Sequence, residues 1–185
     1  TRPWDAFRAA HVPGALSIPG DRGFNSYAGS FIPIDTPVAL IAEPQRVDEF
    51  VRDLIRVGID TIKGWFDPAR LDELLTLTGT ADTPEVTTDE ARAQMENDSA
   101  QVLDVRRATE YAQGHVPGAI NIAHTRLASR LDEVPRDAQL IVHCRSGVRS
   151  SRACALLQRE GFSVANLKGG FLAWDDAQPS TAPSP

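Results

Sequence analysis

Short apolar runs alternate along the chain with longer stretches of helical period. Val38 to Ile41, Val102 to Val105 and Leu140 to Val142 are too short and too uniformly apolar for amphipathic helices, and they suit strands buried on both faces. Between and after them, Val47 to Val57 stops at Gly58, Leu71, Leu74 and Leu75 share one face, and Ser151 to Glu160 places Ala153, Leu156 and Leu157 at helical spacing before Gly161. Thr87 with Glu90 three residues on forms a capping box for a helix through about Met95. Glu110 to Gln113 suits a helical turn closed by Gly114, and Pro117-Gly118 suits the centre of a type II turn before a strand over Ala119 to Ile122. Strands alternating with helices at this spacing predict an α/β fold, a parallel sheet covered by helices.

The pattern also repeats. Phe7-Arg8-Ala9-Ala10-His11-Val12-Pro13-Gly14-Ala15-Leu16-Ser17-Ile18 answers Tyr111-Ala112-Gln113-Gly114-His115-Val116-Pro117-Gly118-Ala119-Ile120-Asn121-Ile122, with His11 and His115 fixing the offset. Val38 to Ile41 answers Leu140 to His143, and Lys63-Gly64-Trp65-Phe66 answers Lys168-Gly169-Gly170-Phe171. Such self-similarity predicts two copies of one unit. The first spans 1–78 and lacks its opening strand and helix, since Arg2 falls opposite Arg106. Residues 79–84 are a polar linker, 85–178 are the second unit, and the Pro- and Ser-rich 179–185 is a disordered tail. Trp65, Trp174 and Cys154 read as packing, and His11 and His115 as groups that satisfy the backbone of their turns.

Composition narrows the function. The 42% hydrophobic content suffices for packed cores, and the 19 basic and 25 acidic residues are spread evenly over both halves, which favours neither a nucleic-acid nor an anionic-membrane partner. No apolar run reaches the ~18 residues of a membrane span. Two cysteines, Cys144 and Cys154, make neither a disulfide framework nor a zinc pattern, and a reducing, cytoplasmic setting fits them.

The chemistry concentrates at His143-Cys144-Arg145-Ser146-Gly147-Val148-Arg149-Ser150. A strand delivers a cysteine into a glycine-containing loop and a helix follows, so unpaired N–H groups and the positive end of the helix dipole converge on the sulfur. Residues 138–159 hold four arginines (Arg145, Arg149, Arg152, Arg159) and no acid, which predicts a local basic spot for an anion. The competing reading is a small buried hydrophobe. In the first copy Ala42-Glu43-Pro44 stands where Cys144 and its loop stand, so that copy has no nucleophile.

These residues, with Asp104-Val105-Arg106, Gly114-His115-Val116-Pro117-Gly118-Ala119, and Leu167-Lys168-Gly169-Gly170-Phe171 before Trp174, resemble the rhodanese family. The resemblance implies two rhodanese-like domains, each an open parallel sheet flanked by helices. It also implies transfer of a sulfane sulfur through a persulfide on Cys144, with Arg145, Ser146, Gly147, Val148, Arg149 and Ser150 as the substrate loop. The expected partners are a small anionic sulfur donor and a thiol acceptor. Asp104 and Arg106 are expected to brace the loop through an ion pair, and His143 either tunes the thiolate or faces the core. No metal or cofactor is expected in this chain. Arg2-Pro3-Trp4 and Ala42-Glu43-Pro44 resemble the inactive middle domain of fusions with an upstream metallo-β-lactamase-fold persulfide dioxygenase, which would hold a non-haem iron. A cysteine phosphatase would place an arginine where Ser150 stands. The alternative of another class is a non-catalytic module that carries sulfur for the upstream domain.

Overall fold

The computed structural model describes residues 1–177; the tail assigned to 179–185 lies outside them. Its main body is a five-stranded sheet in which all pairings are parallel. The strands are β3 (Glu85–Val86), β4 (Ala100–Asp104), β5 (Ile120–Asn121), β6 (Gln139–His143) and β7 (Val164–Leu167), in the order β3-β7-β6-β4-β5. Successive side chains alternate between faces. Leu140 and Val142 join Leu103 and Val105 in one buried cluster with Cys154, Leu156 and Leu157 of the helix Val148–Arg159, whereas Ile141 joins Val102, Ala165 and Leu167 in a second cluster with Ala91 and Trp174. The strands therefore look apolar throughout because both faces are covered.

Residues 1–78 hold a smaller unit. β1 (Val38–Ile41) and β2 (Ile62–Phe66) pair in parallel around the helix α3 (Val47–Arg56), ahead of which come α1 (Trp4–Ala9) and α2 (Phe24–Phe31). Phe24, Leu40, Ala42, Phe50, Leu54 and Ile59 form its core. α4 (Leu71–Thr78) follows, then α5 (Thr88–Glu96), whose start is the expected capping box of Thr87 and Glu90.

The linker 79–84 pairs with the first unit: His11 and Ala81 exchange backbone hydrogen bonds at 2.8 and 2.9 Å, Thr83 N–H donates to Arg8 O, and Thr83 is buried. It also meets Gln158, which accepts from the Thr83 hydroxyl and donates to Asp82 O. Two expectations need correction. Trp65 is 47% exposed rather than packed, because β2 is one of two strands in its sheet and Trp65 borders an open cavity of about 550 Å³. The helix after the loop, α7 (Val148–Arg159), starts three residues earlier than its periodicity indicated, because Gly147 at φ +95° turns the chain into it. Trp174 and Cys154 are buried as expected.

The two His turns are locally alike. His11 Nδ1–H donates to Phe7 O (2.9 Å) and the ring stacks on Phe7, and His115 Nδ1–H does the same to Tyr111 O (3.1 Å) with its ring on Tyr111. Gly118 takes φ +74° and Ala119 N–H returns to Val116 O, the geometry of the expected type II turn.

Candidate active site

The end of β6 carries Cys144 directly beneath the start of α7, at the carboxyl edge of a parallel sheet, where such folds place their ligands. Cys144 is 1% exposed. Its sulfur accepts the backbone N–H of Arg149 at 3.2 Å and lies 3.6 Å from the Ser150 hydroxyl. The N–H groups of Arg145, Ser146 and Gly147 find no acceptor among the described residues, so the loop offers uncommitted donors at the positive end of a 12-residue helix. Sulfur and donors together suit a negative charge that changes owner during a reaction.

The loop is held from below by an element whose glycines matter. α8 (Gly170–Asp176) gives its first N–H groups to the loop: Phe171 N–H to Cys144 O at 2.8 Å and Leu172 N–H to Arg145 O at 3.0 Å. Gly170 has φ +62°, and a Cβ there would lie 2.6 Å from Cys144 O. Only glycine allows that approach.

Asp104 and Arg106 form the expected ion pair, fully buried, with contacts of 2.6 to 3.0 Å. Arg106 also donates to Gly114 O and lies 4.0 Å over the Phe171 ring, so the pair ties β4 to the glycine turn and to α8. His143 faces the core. It is fully buried, its Nδ1 is 3.2 Å from Cys144 O, and its Nε2 is 3.7 Å from Asp104. Burial pushes its pKa down, against a smaller upward pull from Asp104, which keeps the ring neutral at pH 7.

The basic spot is not what the local sequence indicated. Arg149 lies in the first turn of α7, not in the loop, and makes a two-pronged ion pair with Glu110 of α6 (Ala108–Ala112) at 2.6 and 2.7 Å. That guanidinium holds the Glu110 carboxyl at about 2, against some opposition from burial. Arg152 is buried, pairs with Asp21 of the first unit and lies 4.1 Å over the Tyr27 ring. Arg159 sits at the far end of α7 beside Glu160. The stretch 138–159 holds no acid, but the fold brings acids to it from 110 and 21. Of the four arginines, Arg145 alone is exposed and without an ion pair among the described residues.

Two residues at this site gave no sequence signal of their role. Glu110 was legible only as part of a helical turn, and Asn166, 2% exposed in β7, belongs to none of the motifs, yet its Oδ1 is 2.7 Å from Ser150 Oγ. Ala42, at the position in the first unit that answers Cys144, is fully buried, with Glu43 and a Pro44 turn after it. Among the described residues no three His, Cys, Asp or Glu side chains group so as to hold a metal ion.

Comparison with known proteins decides the family. The model of the rhodanese-like domain matches residues 87–177. A sulfurtransferase of Allochromatium vinosum is 40% identical over 88 residues, which cover 46% of this chain and 82% of that protein. The chain belongs to the rhodanese family. The thiosulfate sulfurtransferase GlpE of Shewanella oneidensis is 36% identical over 80 residues, 43% of this chain and 79% of that protein. Among solved structures, the human single-domain sulfurtransferase TSTD1 aligns with 52% of this chain and 99% of its own at 27% identity, with a TM-score of 0.48. The matched stretch contains the rhodanese sheet from β4 to β7, the Cys144 loop and α8. A rhodanese-like domain with a parallel sheet and flanking helices, related to sulfurtransferases, is thus established for this part of the chain. No helix among the described residues is long and apolar enough to cross a membrane.

Proposed function

We propose that the rhodanese domain transfers a sulfane sulfur from a small anionic donor, thiosulfate or a low-molecular-weight persulfide, to a thiol or other nucleophilic acceptor through a persulfide on Cys144. The observation that carries this reading is the sulfur under the loop, bonded by Arg149 N–H at 3.2 Å and followed by three uncommitted N–H groups. The Cys144 thiolate attacks the outer sulfur of thiosulfate. A bond forms between Cys144 Sγ and that sulfur, the S–S bond of the donor breaks, and its electron pair leaves with sulfite. The anionic terminal sulfur of the persulfide is then attacked by an acceptor thiolate, which takes it and returns the Cys144 thiolate. Negative charge is conserved in both steps, and backbone dipoles with Arg145 receive it at the loop. No step calls on a metal or cofactor.

Intact-mass measurement after incubation with thiosulfate tests the assignment. One added sulfur is expected, lost in Cys144→Ser; addition at Cys154 instead would overturn it. Cys154 is fully buried and burial pushes its thiol well up, so it stays protonated.

We propose further that residues 1–78 are a second, cysteine-less unit of the same kind, joined through 79–84 to the active one at 85–178. The matching His turns, the parallel β1–α3–β2 unit against β6–α7–β7, and Ala42 in the place of Cys144 support it. Leu16 and Ser17, which answer β5, are separated from β1 by a cavity of about 550 Å³ in the position that β4 takes in the active unit. Arg2-Pro3-Trp4 and Ala42-Glu43-Pro44 support covalent fusion to an upstream metallo-β-lactamase-fold dioxygenase, whose iron would lie outside this chain. In the alternative, Cys144 only carries sulfur for that domain; turnover with a free thiol acceptor separates the two.

A further inference from the structure

Ser150 has one hydroxyl proton and three neighbours that could take it: Asn166 Oδ1 at 2.7 Å, Gly147 O at 3.1 Å and Cys144 Sγ at 3.6 Å. Which one receives it depends on which way the Asn166 amide faces, and that is decided one residue further out. Asn166 Nδ2 donates to Glu85 Oε1 at 3.0 Å, and a carboxylate can only accept, so the amide oxygen must face Ser150. Glu85 is in turn fixed by the first unit: Trp4 Nε1 donates to the same oxygen at 3.1 Å, and Arg8 Nε lies 3.3 Å from the other. The side chains are largely shielded, Glu85 at 16% exposure and Asn166 at 2%, and with Trp4 they line a small pocket of about 170 Å³ beside the loop.

Resting on the assignment of Cys144 as the nucleophile, we propose that Glu85 and Asn166 are positioning residues that draw the Ser150 proton away from the Cys144 sulfur, and that the cysteine-less unit sets this arrangement through Trp4 and Arg8. The hydroxyl then presents lone pairs, not a proton, to the sulfur. Arg149 then faces the sulfur with its backbone N–H at 3.2 Å and with its guanidinium, and the hydroxyl adds no third donor. Without Glu85 the amide is free to turn its Nδ2 toward Ser150, which releases the hydroxyl proton to the sulfur.

The other charges around the sulfur are already accounted for. On α7 the Arg149 guanidinium is paired with Glu110 of α6 while also facing the Cys144 sulfur, on β4 Asp104 is taken by Arg106, His143 of β6 is kept neutral by burial, and Cys154 is fully buried. Arg145 is exposed on the solvent side of the loop. Among the described residues the polar chain from the first unit to the sulfur therefore runs through Glu85, Asn166 and Ser150.

The test is the pH dependence of Cys144 alkylation by iodoacetamide in the full chain, read by mass spectrometry, which requires no sulfur transfer and so stands apart from the functional reading. Glu85→Ala should move the midpoint down by roughly half a unit, about threefold more reactive thiolate at a given pH below it. Glu85→Gln, which can still accept from Trp4 and Asn166, should stay at the wild-type midpoint, and the shift should vanish when Ser150→Ala is added. Asn166→Ala, which removes the acceptor outright, should shift the midpoint in the same direction and serves if Glu85→Ala does not fold. An unmoved midpoint in the folded variants, or a shift that survives Ser150→Ala and so acts through the field of the charge alone, would overturn the proposal.

Discussion

Replacing Glu110 by Gln removes the charge that Arg149 faces while keeping an oxygen for the Arg107 N–H that Glu110 also accepts at 3.2 Å. The folded protein holds this carboxyl at about 2, from an ordinary 4.5, chiefly through the Arg149 hydrogen bonds. Because the folded state binds the proton less readily than the unfolded one, the stabilisation is complete above pH 4.5, drains as the pH falls, and is gone below about 2. At ~1.4 kcal/mol per unit the full shift would be worth about 3 kcal/mol. The side chains are 20% and 29% exposed, so solvent screening reduces this to about 1–2 kcal/mol. Urea unfolding of the wild type and Glu110→Gln at several pH values between 7 and 2.5 measures it. The gap should be about 1–2 kcal/mol at pH 7 and should close steadily below 4.5. A gap that stays constant down to pH 2.5 would show that Glu110 acts through packing or as a cap, and would refute the ion-pair account.

Gly170→Ala should lower both the melting temperature and the rate of persulfide formation, since the new Cβ meets Cys144 O at 2.6 Å and Arg145 backbone at 2.8 Å; overpacking of this kind costs about 1–3 kcal/mol. Wild-type values in both measurements would mean that the loop can yield without loss. Hydrolysis of an aryl phosphate should be absent, because the position that would need an arginine holds Ser150, which is fully buried against Asn166; turnover lost in Cys144→Ser would contradict this.

The sheet was legible because its strands carry no other job. Leu140 to Val142 and Val102 to Val105 are apolar on both faces, and a period of that kind leaves few alternatives. The nucleophile was legible because strand, cysteine and glycine loop are contiguous in sequence. The polar environment was not, since Glu110 and Asp21 reach Arg149 and Arg152 of α7 from other segments and Glu85 acts on Ser150 through Asn166, and counting charges within 138–159 cannot see them. Trp65 failed for another reason. An aromatic residue in an apolar strand predicts burial when neighbouring strands surround it, whereas β2 belongs to a two-stranded sheet and Trp65 borders an open cavity.

That charge environment bears on how an anionic donor approaches. Had all four arginines been free, attraction would be strong, long-ranged and steeply weakened by salt. Instead Arg149 and Arg152 are neutralised by Glu110 and Asp21, and Arg159 lies about 15 Å up the helix from its start, beside Glu160. What remains at the loop is the exposed Arg145 and the N–H groups of Arg145 to Gly147, whose dipoles act over a few ångströms. Recognition is then by contact more than by steering. The second-order rate with thiosulfate should fall only about two- to threefold between 50 and 500 mM salt, as befits one partly screened cation, and Arg145→Gln should remove most of that dependence. A steep salt dependence that survives Arg145→Gln would mean that the Glu110 or Asp21 pair opens when the donor binds.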